Sequence, residues 1–297
     1  MKQLIETHFG LALMLACVLG LLLPGLPSVP NQLAGLALAV LMFVSCYRLS
    51  DSQLSDIRPR ELMLFYITRY VALPPLLYVL TLQLAPDYAL AVLLLSVVPA
   101  AVSSPAFTAI YGGKVAIAFA VVLLSQLLSP VVIPLHFIAV GADGITPSAA
   151  HLFHTLLLCV VLPMVVYALA RKHAASREYF YAQGKLISIL LIMFIIALAI
   201  AKQRDVILTN PTHLLLPFAL AMGCYVVYFL VGFAFARRDR ASQISYATCS
   251  GFNNAALGVS LALMHFGTDV LLFIAAAEIG WSLLPMLMRF WVKQTDR

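Results

Sequence analysis

Charge is scarce in this chain: Asp, Glu, Lys and Arg together make up 10% of its 297 residues, against 63% hydrophobic. So small a polar complement cannot cover a fold of this length in water, which excludes a soluble globular protein. Cysteine occurs five times, and Cys17, Cys46, Cys159, Cys224 and Cys249 fall inside or at the ends of apolar runs. An odd number of thiols in such places argues against a disulfide framework. Catalytic motifs are also missing: there is no HExxH, no GxSxG and no acidic cluster able to hold a metal with a diphosphate. No metal site and no enzymatic activity are expected, and Cys249, with no histidine beside it in sequence, reads as packing rather than as a nucleophile.

What the chain has is apolar length. A hydrocarbon core of about 30 Å takes roughly 20 apolar residues per helix. The sequence predicts an all-α integral membrane protein with ten spans, near 8–27, 31–48, 61–83, 86–111, 114–140, 150–170, 185–202, 212–236, 243–266 and 269–292. The first span reads as a mature helix rather than a leader, since Lys2 and Glu6 are its only flanking charges and no small-residue cleavage site follows Leu26.

The net charge of +6 does not point to nucleic acid, because the basic residues gather in alternate loops. Arg48, Arg58, Arg60, Lys114, Arg171, Lys172, Arg177, Lys185, Arg237, Arg238, Arg240, Arg289, Lys293, Arg297 and Lys2 fall on one side, against Lys202 and Arg204 on the other. The positive-inside rule then places both termini in the cytoplasm of a multi-pass protein of the cell's inner membrane, with the lipid bilayer as its partner.

Two stretches interrupt the apolar pattern in matching places. VSSPAFT (102–108) breaks the fourth span and CSGFNNA (249–255) the ninth, each just before a Gly-containing turn. After each turn a Val precedes a Pro by fifteen positions, Val115 with Pro130 and Val270 with Pro285. The chain therefore reads as two inverted five-span repeats, 1–140 and 141–297. Interrupted spans of such repeats meet near the midplane and form the binding site.

The segments PAAVSSPAFTAIYGGKVAIAFAVVLLSQLLSPVVIP (99–134), GFNNAALGVSLALMHFG (251–267) and RLSDSQLSDIRPREL (48–62) resemble the bile acid/sodium symporter family. The resemblance implies a panel domain of spans one, two, six and seven, a core domain of spans three to five and eight to ten, and broken, crossing spans four and nine. It also implies transport of a small organic anion bound near the crossing, with two sodium ions behind it.

Carried over by position, the first ion site falls on Ser104, Pro105, Ala118, Val122 and Cys249, of which Ser104 alone keeps a side-chain oxygen where a hard cation wants several. At the second site Asn253 and Arg69 stand where the family has glutamines, so a fixed guanidinium occupies the place of a bound cation.

A charge inside a span is costly unless paired. Arg69 is expected to pair with Glu278 of AAAEIGW, Asn253, Asn254 and Ser104 completing the hydrogen bonds; the alternative is that Arg69 snorkels to the interface. The substrate would meet Ser103, Ser104, Pro105, Thr108, Ser250, Gly251, Asn253 and Asn254, with a carboxylate or sulfonate at half-helix N-termini. No cofactor is called for; coupling is left to sodium or to a proton, with Glu278 and Cys249 beside Arg69 as the coupling candidates. An arsenite-type or other metabolite efflux carrier, or a non-transporting sensor of the same fold, is the alternative reading.

Ser125, Gln126 and Ser129 read as hydrogen bonders between helices, His136, His151, His154, His213 and His265 as interfacial, and Trp281 and Trp291 as interface anchors.

Overall fold

The structure, a computed structural model, describes residues 9–49, 57–141, 147–237 and 239–295. Lys2, Arg238, Arg297 and much of the predicted loop 48–62 lie outside these residues. Among the described residues there is no strand, and helices follow one another in the order α1 (Phe9–Leu22), α2 (Gln32–Leu49), α3 (Pro59–Leu84), α4 (Ala89–Val97), α5 (Ser104–Ile110) and α6 (Val115–Val140). They continue as α7 (Ala149–Ala170), α8 (Ala174–Lys202), α9 (Leu215–Phe233), α10 (Arg240–Gly251), α11 (Ala255–His265) and α12 (Thr268–Thr295).

Six of them, α3, α6, α7, α8, α9 and α12, are long and apolar enough to cross a membrane, and α1, α2, α4 and α11 are shorter apolar helices. Apolar side chains crowd the outside as well as the core: Leu84 is 72% exposed, Ile110 70% and Met286 69%. An outer surface of this kind fits lipid rather than water. This is a multi-pass membrane protein.

Local chemistry explains the irregular turns. Pro74 and Pro75 lack N–H groups and crowd the preceding carbonyls, and α3 takes up the strain as a π-turn over Ile67–Ala72, closed by Leu73 N–H donating to Thr68 O. Pro163 does the same in α7, over Leu157–Val161. Pro75 leaves the carbonyl four residues back, Val71 O, without its helical donor, and His136 Nε2 of α6 lies 3.1 Å from it. His136 is therefore a buried partner of the π-turn, not an interfacial residue.

α8 starts well before the predicted 185, at Ala174, because AASREYFYAQG holds no proline and the Ala, Arg, Glu and Gln in it favour a helix. α2 packs against α8, α7 and α11, and α1 against α8, while α9 packs against α10 and α12 and α3 against α4. α11 and α12 touch both groups and form the seam between them.

Candidate functional site

Both expected interruptions are present and lie against each other. The first falls at 98–103 rather than 102–108, because Pro99 ends one helix and Pro105, near the first turn of the next, starts a helix instead of breaking one; the second narrows to 252–254. α4 ends at Val97 ahead of Pro99, and α5 begins at Ser104; α10 ends at Gly251, and α11 begins at Ala255. Between them the extended backbones pair antiparallel at Ala100 and Asn253, with Ala101 N–H donating to Phe252 O at 2.7 Å and Asn254 N–H to Pro99 O at 2.8 Å.

The groups this short pairing leaves over are met from α6. Ala100 N–H donates to Ser125 Oγ at 3.2 Å, and Gln126 Nε2 donates to Ala100 O at 3.1 Å. Backbone outside a helix at membrane depth must be satisfied by protein in this way. Ser129 instead bonds within its own helix, to Gln126 O.

Behind the pairing lies Arg69, 0% exposed. The π-turn of α3 carries it, and it reaches the carbonyl ends of both interrupted helices. Nη1 donates to Ser96 O at 2.8 Å at the end of α4, Nε to Ser250 O at 3.1 Å at the end of α10, and Nη2 to Asn253 Oδ1 at 2.9 Å. Helix C-termini carry unpaired carbonyls and a partial negative charge, so two of them converging on one point make a site for a cation. The guanidinium also lies over the Tyr228 ring, 3.8 Å from its centroid, and over Tyr70 at 4.8 Å.

The surrounding polar groups are committed. Asn253 Nδ2 donates to Leu95 O at 2.6 Å, Tyr70 OH to Cys249 O at 2.8 Å, and the hydroxyls of Ser96 and Tyr228 lie 2.7 Å apart.

This arrangement corrects the expected ion pair. Lys114 pairs with Asp239, and Arg69 makes no ion pair with Glu278. Two carbonyl groups and an amide already face the guanidinium, and α12 presents Glu278 elsewhere, 5% exposed with Oε2 lacking a hydrogen-bond partner. Snorkelling is overturned too, since Arg69 is fully enclosed.

Trp281 is likewise no interface anchor. It is 4% exposed, its indole N–H donates to Asn253 O at 3.2 Å, and its ring packs edge-on to Phe252 and Phe107. Trp291 packs on Phe233 and under Arg240.

The other predicted site residues fall into four groups. Ser104 and Thr108 are buried, their hydroxyls without a hydrogen-bond partner, and the Cys249 thiol lies beside Ser104. Ser250 Oγ donates to Tyr228 O, and Gly251 lets the Phe229 ring approach so closely that a Cβ would overlap it. Asn254 caps α11, its Oδ1 accepting from Leu257 N at 3.2 Å, and its Nδ2 points to Met42 Sδ of α2 at 3.8 Å. Ser103 and Pro105 are half-buried at the mouth of the break.

Around Ala118, Val122 and Cys249 the space is filled by an apolar cluster with Phe65, Tyr70, Ile117 and Tyr246. Sequence reasoning missed Ser96, Tyr228 and the stacking of Phe107 on Phe252 at 4.6 Å, because nothing in their local patterns separates them from ordinary core residues.

Interrupted helices paired inside a lipid-facing bundle, with a cation at their carbonyl ends, are an arrangement on which membrane transporters build binding sites. The chain belongs to the sodium bile acid symporter family, whose sequence model matches residues 35–210. It is similar to the uncharacterized sodium-dependent transporter YocS of Bacillus subtilis, 26% identical over 97% of this chain and 92% of that protein. It is also similar to the probable sodium/metabolite cotransporter BASS1, chloroplastic, of Arabidopsis thaliana, 26% identical over 90% of this chain and 68% of that protein.

Proposed function

We propose that this protein is a secondary transporter of a small organic anion that works by alternating access, with Arg69 standing permanently where relatives recruit a sodium ion. In this reading the shorter apolar helices complete ten spans in two inverted repeats, 1–140 and 141–297, with both termini cytoplasmic. Spans one, two, six and seven, led by α1, α2, α7 and α8, form the panel against which the remaining core moves. The anion binds at the open side of the crossing, where Ser103 and Pro105 keep exposed surface and Asn254 caps α11 beside Met42. Ser104, Thr108, Ser250, Gly251, Asn253 and Cys249 shape that site from behind.

The observation that carries the reading is the guanidinium bonded to Ser96 O, Ser250 O and Asn253 Oδ1. A sodium ion needs several oxygens to replace its water. The oxygens available here already face a cation that cannot be deprotonated. The apolar filling around Ala118, Val122 and Cys249 supports the loss of the other ion as well. Two relatives carry sodium in their names; in this reading the present chain supplies the charge from its own side chain.

A melting series on purified protein tests this, in sodium against choline, with and without taurocholate and pyruvate as anion probes. A ligand that binds only the native state raises stability by RT ln(1 + [L]/Kd). The expected result is stabilisation by an anion to the same extent in both salts. Stabilisation by sodium alone, or by an anion only in sodium, overturns the internal-cation reading.

A further inference from the structure

Glu278 is the one buried acidic side chain among the described residues, and the contacts around Arg69 leave it unused. It stands on α12 one helical turn before Trp281, whose indole N–H bonds Asn253 O, and so lies beside the crossing without being part of it. Its surroundings belong to both packing groups. Cys17 of α1 and Tyr225 of α9 are the titratable side chains within electrostatic reach, and the Tyr225 hydroxyl is directed at Ala277 O rather than at the carboxyl.

The other segments against α12 bring their titratable groups nearer its start: the turn Pro86–Tyr88 carries Asp87 and Tyr88, whose ring packs on Phe273 more than a helical turn before Glu278, and the turn Pro211–Leu214 carries His213. α4 has no titratable residue, α11 has His265 only at its far end, and α8 is uncharged from Leu186 to Ala201. Lys202 lies where α8 meets Thr268, about 15 Å along α12 from Glu278 at the usual helical rise. Oε2 is thus enclosed with no donor at all. An ionised carboxylate in such a place gives up its hydration without return.

We propose that Glu278 is a proton-binding site on the seam between α12 and α1, carrying its proton across with the anion and giving it up to water when the seam opens on the far side. The inference rests on the alternating-access reading above. One proton is taken from water on the side where the seam is open, forming the carboxyl O–H. That O–H breaks on the opposite side, where the proton returns to water, and no electron moves. A proton therefore crosses with each cycle, in the place a coupling ion has elsewhere.

Purified protein carrying carbon-13 glutamate tests this directly, by infrared spectroscopy of the protonated-carboxyl stretch across the neutral and alkaline range. In parallel, alkylation of Cys17 is located by peptide mass spectrometry in wild type and Glu278→Gln. The expected result is a band present at neutral pH, lost on alkalinisation and missing in Glu278→Gln. Cys17 labelling in wild type then rises roughly tenfold relative to the variant as the band disappears.

Absence of the band at neutral pH overturns the proposal, and so does a band whose loss leaves Cys17 labelling the same in both proteins. Should Glu278→Gln fail to fold, Glu278→Asp keeps a titrating carboxyl, and the wild-type band and labelling still decide. A separate arm follows lumenal pH in proteoliposomes given taurocholate or pyruvate. Acidification in step with uptake supports the proposal; uptake without proton movement overturns it. Absent uptake with the band and labelling intact leaves the proton site standing and tells against the transporter reading instead.

Discussion

Asn253 holds Arg69 with one end of its amide and the backbone of α4 with the other. Its Oδ1 accepts from Nη2 at 2.9 Å and its Nδ2 donates to Leu95 O at 2.6 Å. Because a guanidinium only donates and a carbonyl only accepts, these partners fix which way the amide faces. One side chain thereby ties α3, α4 and the break after α10 into a single polar knot.

Removing the guanidinium should undo that knot. Arg69→Gln strands acceptors at Ser96 O, Ser250 O and Asn253 Oδ1, and a buried polar group left unpaired costs about 1–3 kcal/mol. A fall in melting temperature is expected, partly reversed by sodium but not by choline. Arg69→Lys should be intermediate, since an ammonium keeps the charge and loses the planar fork. An unchanged melting temperature in Arg69→Gln would remove the structural basis of the proposal.

Gly251 has no room for a side chain against Phe229. Gly251→Ala should destabilise by about 1–3 kcal/mol through overpacking. Adding Phe229→Leu should recover part of the loss. Denaturation of the two single variants and the double variant checks this, and purely additive effects would show that the close approach is not the cause.

Ser125 and Gln126 hold both backbone groups of Ala100. Gln126→Leu leaves Ala100 O without its donor, an expected loss of about 1–3 kcal/mol. Ser129→Ala, whose hydroxyl bonds only within its own helix, should cost less in the same unfolding measurement.

Outside the spans, Asp239 caps α10 and pairs with Lys114 at the start of α6. The Lys114 ammonium first, then the Ser242 hydroxyl, hold its carboxyl down at about 2. A depressed carboxylate stabilises the fold above its unfolded value near pH 4 and loses that contribution as pH falls from there through about 2. Both side chains are well exposed, 39% and 44%, so the effect is modest and partly screened by salt. Asp239→Asn should lower stability modestly at neutral pH and flatten the acid side of the stability profile, so that variant and wild type converge near pH 2.

Much of this was legible in the sequence because apolar runs of membrane length, and polar residues interrupting two of them, leave strong local patterns. That each half carries one interrupted span follows from that pattern alone, though the first interruption lies at 98–103, earlier than the polar letters of 102–108 suggest. The partner of Arg69 was not legible. A search for opposite charge finds Glu278, but the actual acceptors are backbone carbonyls of Ser96 and Ser250, which every residue has and no side-chain letter reports. Trp281 departs from expectation for a related reason: closeness to a helix end suggests an interface, whereas its position on α12 points the indole inward at Asn253 O.

The tether on Arg69 has an electrical consequence. A bound ion departs with its cargo, so an unloaded carrier resets without it. In the proposed cycle a guanidinium fixed to α3 makes the return trip too; the substrate's negative charge cancels it on the loaded leg, and the Glu278 carboxylate, its proton released, cancels it on the vacant one. Moving one uncompensated elementary charge through the full membrane field is worth about 2.3 kcal/mol per 100 mV. With both legs compensated, the resting voltage of the cell pushes neither orientation, and the gradients of proton and anion are left to set the direction.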